Sequence, residues 1–392
     1  RENLTGISVV HAYNAEEYQE DKFEKANDVL MRTQLFNQRA MALLMPAVGL
    51  AMNALSLTIY WVGAAIVNRV SATDLAGRIS TFGDIVVFGT YATYIIMSLM
   101  MLVMILVLLP MAQVSAVRIN EVLDAPISLH EGKTTEAPEQ GTVEFRDVSF
   151  RYPSSSGDVL EHVSFRANKG ETIAFIGATG SGKTTLVSLA ARFYDATEGQ
   201  VLIDGQDVRS YSFDALYDRI GYVTQRAIVF AGDVRSNVLF GESGAPQDDE
   251  SVQRALSLAQ ATEFVDKLPG KLDAPIAQAG ANVSGGQKQR LSIARALARK
   301  PEILIFDDSF SALDYRTDAS LRAGLARELS DTTCLIVAQR IGTIRHADRI
   351  VVLDEGRVAG IGTHDELMKN CGVYREIAMS QLSAAELEKE GV

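Results

Sequence analysis

Long stretches without charged side chains lie near the start of the chain. No Asp, Glu, Lys or Arg occurs in residues 40–68 or in residues 85–117. Both stretches exceed the ~20 residues that a helix needs to cross the hydrocarbon core of a membrane. A short polar loop, residues 68–80, lies between them. The pattern therefore predicts an antiparallel helical hairpin with spans at about residues 42–67 and 83–109.

Two features of this hairpin have alternative interpretations. Asp84 is either a functional carboxylate inside the membrane or, as we favour, an acidic residue in the first turn of the second span, where it complements the helix dipole. The methionines of Met97–Met104 either line an adaptable apolar pocket or, as we favour, serve ordinary helix packing and lipid contact. Before the first span, residues 8–39 are predicted to form a polar, acidic helix in water.

The pattern changes after residue 123. Residues 124–140 contain two prolines and alternating charges without an apolar period, which is typical of a linker. The following apolar strands and helical segments predict a mostly parallel α/β core. An antiparallel β part is expected around Val143–Ala167 and a helical region over roughly Val234–Lys300. The final stretch, Tyr374–Val392, is predicted to be an amphipathic helix with an acidic tail.

Charge and cysteine content exclude some classes of function. The net charge is −12, and the sequence has no Lys/Arg cluster that could neutralise phosphates along a nucleic acid, so we expect no nucleic-acid partner. Cys334 and Cys371 are far apart and not in a metal-ligand spacing. They are interpreted as reduced structural thiols.

The first motif that carries chemistry follows a predicted strand, Glu171–Ile176. Residues 177–185 read Gly-Ala-Thr-Gly-Ser-Gly-Lys-Thr-Thr and precede a helical segment, which matches the phosphate loop G-x-x-x-x-G-K-[ST] in its strand–loop–helix context. The glycines let backbone N–H groups turn towards phosphates, Lys183 reaches the β and γ phosphates, and Thr184 offers a hydroxyl to Mg²⁺.

A second apolar strand, Glu302–Phe306, ends in Asp307 and Asp308. An acidic residue at the carboxyl end of a parallel strand beside a phosphate loop is placed to hold Mg²⁺ through water. We assign that role to Asp307.

A third motif, residues 282–291, stands before a predicted helix and contains Ser284–Gln287, Ser-Gly-Gly-Gln. The ordered set of phosphate loop, this signature, Asp307-Asp308 and the Ser-Ala-Leu-Asp of residues 311–314 resembles the ATP-binding-cassette (ABC) family. The resemblance covers about residues 141–382 at high specificity and the membrane hairpin at lower specificity.

The resemblance implies a fold of all-α transmembrane helices followed by an α/β P-loop nucleotide-hydrolase domain with a small antiparallel β part and a helical signature subdomain. The implied divisions are the C-terminal part of an exporter transmembrane domain at 1–123, the linker at 124–140, the ABC nucleotide-binding domain at 141–382 and a tail at 383–392. In the exporter branch each half has six spans. The hairpin would be the last two, with both of its ends cytoplasmic, and the N-terminal remainder would be missing from this chain.

The resemblance also implies roles for residues around ATP and Mg²⁺. Tyr152 matches the aromatic residue that stacks on adenine, and Gln225 matches the glutamine that senses Mg²⁺ and the membrane domain. In this family two cassettes close head to tail on two ATP molecules, and the signature of each meets the γ-phosphate bound to the other. The catalytic candidates are Asp308, Gln339 and Gln225, and the Mg²⁺ candidates are Thr184, Gln225 and Asp307. The ATP-binding candidates are Tyr152, Gly177, Thr179, Gly180, Ser181, Gly182, Lys183, Thr184, Thr185, Ser284, Gly285, Gly286 and Gln287.

The sequence departs from the family pattern at several positions. Asp308 stands where the family has a glutamate that polarises water; it is one methylene shorter, and a misplacement of about 1 Å can cost on the order of 100-fold in rate. Gln339 replaces the switch histidine, and an amide can donate a hydrogen bond but cannot carry positive charge. Gln278 stands where exporters usually have Glu, and Val283 replaces the leucine that begins the signature.

These departures predict slow hydrolysis at the site built on this chain's own phosphate loop, while its signature serves a competent site on a different subunit. The pattern resembles the degenerate-site subunit of heterodimeric exporters. Such a subunit is a multi-pass protein of the plasma or inner membrane that contacts lipid and helps to export a substrate, here unidentified. The alternatives are a homodimer in which Asp308 acts as the base, and a membrane-tethered ATP-binding regulator that transports nothing.

Overall fold

The computed structural model describes residues 6–153, 155, 157–241 and 244–381. These fall into two compact units that meet in sequence at Pro126 and Ile127, inside the predicted linker. The predicted tail, residues 383–392, lies outside the described residues.

The first unit consists of helices α1 (Ile7–Ala12), α2 (Glu16–Arg69) and α3 (Leu75–Leu123). The acidic segment and the first span are one continuous helix after a break at Tyr13–Ala15, and α3 continues past Pro110 to Leu123. By length and composition α2 and α3 are both able to cross a membrane.

Helices α2 and α3 approach each other closely at a glycine. A Cβ atom added at Gly63 would lie 2.7 Å from Ile85 Cγ2, so a larger residue here would force the Ile85 side chain to move. Gly89 in turn faces Ile59. Residue numbers rise along one helix as they fall along the other, so the pair is antiparallel and forms the predicted hairpin. Small residues at such contacts are typical of membrane helices.

Asp84 does not lie where we expected. Helix α3 begins at Leu75, capped by Asp74, whose Oδ1 accepts a hydrogen bond from the Gly77 N–H at 2.9 Å. Asp84 is therefore in the third turn, and the prediction that it occupies the first turn is wrong. The signal was present in the sequence, since Asp is a favoured N-cap residue.

The second unit contains the remaining elements. Its strands are β1 (Val143–Phe150), β2 (Leu160–Ala167), β3 (Thr172–Gly177), β4 (Glu198–Ile203), β5 (Gln206–Asp207), β6 (Ile220–Val223), β7 (Gly232–Asp233), β8 (Pro275–Ile276), β9 (Ile303–Asp307), β10 (Thr333–Val337), β11 (Arg349–Asp354) and β12 (Arg357–Gly362). Its helices are α4 (Lys183–Ala190), α5 (Phe213–Arg219), α6 (Val234–Val238), α7 (Asp249–Leu258), α8 (Thr262–Asp266), α9 (Gly285–Ala298), α10 (Tyr315–Glu328), α11 (Ile341–Ile344), α12 (His364–Asn370) and α13 (Gly372–Gln381).

Two main sheets form the second unit. The first is antiparallel, in the order β2-β1-β4-β5, and the second has the order β12-β11-β3-β10-β9-β6. In the second sheet the neighbours from β11 to β6 are parallel, and only β12 is antiparallel. Every residue of β9 and β10 is buried, as expected for parallel strands that are covered on both faces.

The central sheet separates two hydrophobic cores. Ala174 and Ile176 of β3 pack in the core that contains α7 and α9, whereas Ile173 and Phe175 pack in the core that contains α4 and the antiparallel sheet. Successive side chains of a strand point to opposite faces, so β3 contributes to both cores. This arrangement fixes the end of β3, from which the phosphate loop starts.

The later part of the predicted linker is held on the second unit. The Thr134 N–H donates to Ser210 O at 2.9 Å, and the buried Arg192 donates through Nη2 to His130 O at 2.6 Å. Arg192 also pairs with Asp195 at 3.0 Å. The linker prediction rested on composition alone, which carries no information about these long-range hydrogen bonds.

A buried carboxyl group lies at the edge of the antiparallel sheet and contacts the backbone just after the linker. Asp204, fully buried after β4, accepts a hydrogen bond from the Thr142 N–H at 2.8 Å and faces Arg219 Nε at 3.3 Å. Burial raises the pKa of Asp204 to about 6, and the neighbouring Glu302 carboxyl raises it as well, against the lowering effects of the Thr142 N–H and Arg219.

This site predicts a pH-dependent stability. The raised pKa means that Asp204 keeps a proton in the folded state that the unfolded chain has already released, so the contribution of Asp204 to the free energy of unfolding falls as pH rises from about 4 to about 6 and levels off above that. In urea unfolding followed by circular dichroism, we expect Asp204→Asn to remove this negative contribution, so that the slope of the free energy of unfolding against pH becomes more positive between about pH 4 and about pH 6. Asp266→Asn, at an exposed position, should keep the wild-type slope. A slope in Asp204→Asn equal to that of the wild-type protein would contradict the raised pKa of Asp204.

Candidate nucleotide site

The phosphate loop joins β3 to α4 through two glycines in left-handed conformation. Gly180 has φ +86° and Gly182 has φ +94°. A Cβ atom at Gly182 would lie 2.6 Å from Leu160 Cδ2, whereas one at Gly180 would meet no atom within 4 Å. The loop is therefore packed tightly at its base and open at its tip, which lets backbone N–H groups face a ligand.

Lys183 is folded over this loop. The Lys183 side chain is buried, and its Nζ donates to Gly177 O at 3.0 Å, to Ala178 O at 2.7 Å and to Ser181 Oγ at 3.2 Å. Burial lowers the pKa of Lys183, while the carboxylates of Asp308 and Asp307 act in the opposite direction. An ammonium group in this position supplies a mobile positive charge to an anion in the loop.

Asp307, at the end of β9, is held by two hydroxyl groups. Thr184 Oγ1 donates to Asp307 Oδ1 at 2.8 Å, and the Tyr222 hydroxyl donates to Asp307 Oδ2 at 3.3 Å. Burial raises the pKa of Asp307, and the two hydrogen bonds partly offset this rise. Burial likewise raises the pKa of Tyr222, with a further contribution from the Asp307 charge. Hydroxyl and carboxylate oxygens side by side are the ligand type that Mg²⁺ prefers.

Asp308 stands in a sharp turn directly after β9. Its φ is +45°, its N–H donates to Val337 O at 3.0 Å, and its side chain is buried. Asp308 Oδ2 accepts two amide hydrogen bonds, from Gln339 Nε2 at 2.7 Å and from Gln225 Nε2 at 3.2 Å. Burial raises the pKa of Asp308, and these two amides lower it.

A cavity of about 300 Å³ lies between the phosphate loop and Asp308, and Asp307 and Tyr222 stand outside its lining. The lining residues are Val159, Thr179, Gly180, Gly182, Lys183, Thr184, Thr185, Gln225, Asp308, Val337 and Gln339. The structure thus brings together most of the predicted phosphate-loop and catalytic candidates. Among the described residues that line the cavity, none comes from the signature Ser284–Gln287.

Tyr152 lies beside the cavity rather than in its lining. The Tyr152 hydroxyl is 3.0 Å from Thr185 Oγ1, which does line the cavity. The Tyr152 ring packs edge-on against Phe150 and Tyr194, with centroid distances of 4.8 and 5.2 Å. This position links an aromatic surface to the phosphate loop.

The signature forms the start of α9. Ser284 Oγ accepts from the Gln287 N–H at 3.4 Å, and Gln287 Oε1 accepts from the Ser284 N–H at 2.8 Å, which is a capping box. Ser284 and Gly285 are exposed, while the substituted Val283 is buried. The helix therefore presents its N-terminal end, which favours anions, to the surface.

Sequence reasoning missed three residues of the site. Val159 and Val337 line the cavity, and Tyr222 contacts Asp307. For Val159 and Val337 no sequence signal exists, because an aliphatic residue in a strand or loop looks the same wherever it packs. Tyr222 had a usable signal, since a buried tyrosine hydroxyl needs a hydrogen-bond partner.

The fold and the loop geometry define a P-loop nucleotide-binding protein joined to a helical hairpin of membrane-spanning length. A family model described as "ABC transporter" matches residues 160–311, and one described as "ABC transporter transmembrane region" matches residues 1–117. The chain belongs to the ABC transporter family, and the predicted fold class is confirmed. It is a membrane protein with a cytoplasmic ATP-binding domain.

Individual relatives agree with this assignment. An uncharacterized ABC transporter ATP-binding protein of Mycobacterium tuberculosis is 40% identical over 391 residues, which cover 98% of this chain and 65% of that protein. An ATP-dependent lipid A-core flippase of Aromatoleum aromaticum is 35% identical over 100% of this chain and 63% of its own length. The structure of a bacterial Atm1-family ABC exporter with ATP bound matches with a TM-score of 0.78 and 30% identity, over 97% of this chain and 66% of that one. The chain thus spans slightly less than two thirds of each of these relatives.

The packing at Gly182 predicts a loss of ATP binding in Gly182→Ala. An alanine at this position would be strained by the positive φ and by the contact of its Cβ with Leu160, at a cost of roughly 1–3 kcal/mol. A phosphate loop that shifts to relieve this strain should bind ATP about tenfold or more weakly. Titration with a fluorescent ATP analogue measures this. Gly324→Ala, in α10 with no atom within 4 Å of the new Cβ, is the matched control. If Gly182→Ala binds the analogue with wild-type affinity, the phosphate loop does not depend on glycine at this position.

Proposed function

We propose that this chain is a subunit of an ATP-driven exporter whose own nucleotide site binds Mg²⁺-ATP but hydrolyses it slowly. The observation that carries the proposal is the environment of Asp308, whose Oδ2 accepts hydrogen bonds from two neutral amides, Gln225 and Gln339. The signature of the chain would complete a competent site on a different subunit. Relatives named as ABC transporter proteins and lipid flippases support the exporter part of the proposal.

The residues around the cavity suit ATP with Mg²⁺. The open tip at Gly180 gives the phosphates room to approach the backbone, and Lys183 can move from the loop carbonyls to the β and γ phosphates. Thr184, Gln225 and Asp307 would hold Mg²⁺, which neutralises phosphate charge when it is bound. Tyr152 would stack on the adenine, next to Thr185.

Slow hydrolysis follows from the groups that would handle the attacking water. A base at this position must accept a proton from water, and Asp308 reaches one methylene less far than glutamate. A proton on Asp308 Oδ2 would also displace one of the two amides that donate to it. Gln339 can donate to the γ-phosphate but adds no positive charge against the charge that develops in the transition state.

The signature supports a site on a partner. The exposed N-terminal end of α9, with Ser284 and Gly285 at the surface, can meet a γ-phosphate held by another chain. The proposed partner is a second exporter half with Glu and His at the positions of Asp308 and Gln339. The proposed cargo is lipid-like and crosses between the two membrane halves.

The first test compares ATP hydrolysis by the full-length protein alone and with a candidate partner, both in lipid vesicles. We expect little hydrolysis alone and a gain of about tenfold or more with the partner, because only the pair contains a complete site. Brisk hydrolysis alone would support the homodimer instead. A pair that hydrolyses ATP without moving lipid across the bilayer would favour the regulator.

A second test restores the missing groups. Asp308→Glu combined with Gln339→His should raise hydrolysis at this site by about tenfold or more, because it returns the reach of the base and a chargeable donor. The assay uses a pair whose partner carries an inactivated phosphate-loop lysine, so that only this site turns over. Asp331→Glu, at an exposed loop position, is the control. No gain in the double variant would show that another feature limits the rate.

A further inference from the structure

The two amides that meet at Asp308 have a defined orientation. Gln339 Nε2 lies 2.7 Å and Gln225 Nε2 lies 3.2 Å from the same carboxylate oxygen, Oδ2. An ionised carboxylate can only accept hydrogen bonds, so the amide nitrogens must face it. The carbonyl oxygens Oε1 of both glutamines are therefore directed away from Asp308.

The backbone around this contact is fixed from several sides. Asp308 is held by its hydrogen bond to Val337 O, and its own carbonyl accepts from Ser311 Oγ at 2.7 Å. Gln339 O accepts from Gln381 Nε2 of α13 at 2.8 Å, and Gln381 Oε1 accepts from the Ile341 N–H at 2.9 Å. Because these hydrogen bonds hold the backbones of Asp308 and Gln339, Asp308 presents its carboxylate to the more distant Gln225 from a fixed backbone.

We propose that Asp308 is a positioning residue: it holds the Gln225 amide by its nitrogen and so leaves Oε1 free for the Mg²⁺ of bound ATP, and it does not serve as a general base. This inference rests on the proposed function, in that the site must bind Mg²⁺-ATP. The carboxylate of Asp308 lies within hydrogen-bond reach of both glutamines, so its removal would free both amides.

The test measures ATP affinity in Mg²⁺ and in EDTA by titration calorimetry on the full-length protein, with Mn²⁺ as a paramagnetic probe of metal binding. Loss of a residue that orients a metal ligand typically costs 10–100-fold in metal affinity, so Asp308→Ala should lose about tenfold of the Mg²⁺-dependent gain. The gain is the ratio of the ATP affinities in Mg²⁺ and in EDTA, which cancels the effect of the lost charge on ATP binding itself. Asp308→Asn keeps an acceptor oxygen but cannot act as a base, and it should keep most of that gain. Asp266→Ala, at an exposed position, is the control.

The possible results separate the two roles. If Asp308→Ala keeps the Mg²⁺-dependent gain, or if Asp308→Asn loses as much of it as Asp308→Ala does, the positioning role is overturned. If the wild-type protein binds no ATP with or without Mg²⁺, the proposed function fails together with this inference. If the wild-type protein hydrolyses ATP briskly while the variants behave as expected, only the slow-site proposal fails.

Discussion

The convergence of two amides on one oxygen of Asp308 depends on the order of strands in the central sheet. Strand β9 lies between β10 and β6, and all three run parallel, so the residues after them meet at one edge. Asp308 follows β9, Gln339 follows β10 and Gln225 follows β6. Asp308 therefore receives one amide from each neighbouring strand, and any group placed there must fit between two fixed donors.

The same strand order places the phosphate loop next to these residues. Strand β3 pairs with β10, so the loop beginning at Gly177 stands beside Gln339, although the two are far apart in sequence. A ligand in the cavity would contact Lys183 on one side and Asp308 on the other. A change at any one of these strand ends is therefore expected to alter nucleotide retention and hydrolysis together.

Local patterns predicted the elements of this fold well, because each depends on a few neighbouring residues. The apolar runs marked the two spans, and the glycines and Lys183 marked the phosphate loop in its strand–loop–helix context. The order of the strands, the left-handed turn at Asp308 and the hydroxyl of Tyr222 on Asp307 depend on contacts between distant segments. No local pattern reports such contacts. For that reason the sequence did not predict that Asp308 Oδ2 accepts hydrogen bonds from both Gln225 and Gln339.

The ends of the helices also show which features depend on neighbouring residues and which depend on distant contacts. Long apolar runs were visible, but the start of α3 at Leu75 depended on the cap of Asp74, and its passage through Pro110 shows that one proline does not end a long helix. Likewise, composition predicted a linker, whereas Arg192 holds its later part on the second unit. Where the local sequence pattern is weak, as in the linker, hydrogen bonds to distant residues determine the structure.

The central claim is that this chain's site retains ATP while the partner's site turns it over. The most direct measurement is a single turnover of the assembled pair with labelled ATP, followed by separation of the nucleotides that remain bound. The account predicts that one of the two sites still holds ATP after the other has formed ADP. Conversion of both bound nucleotides to ADP at one common rate would contradict it.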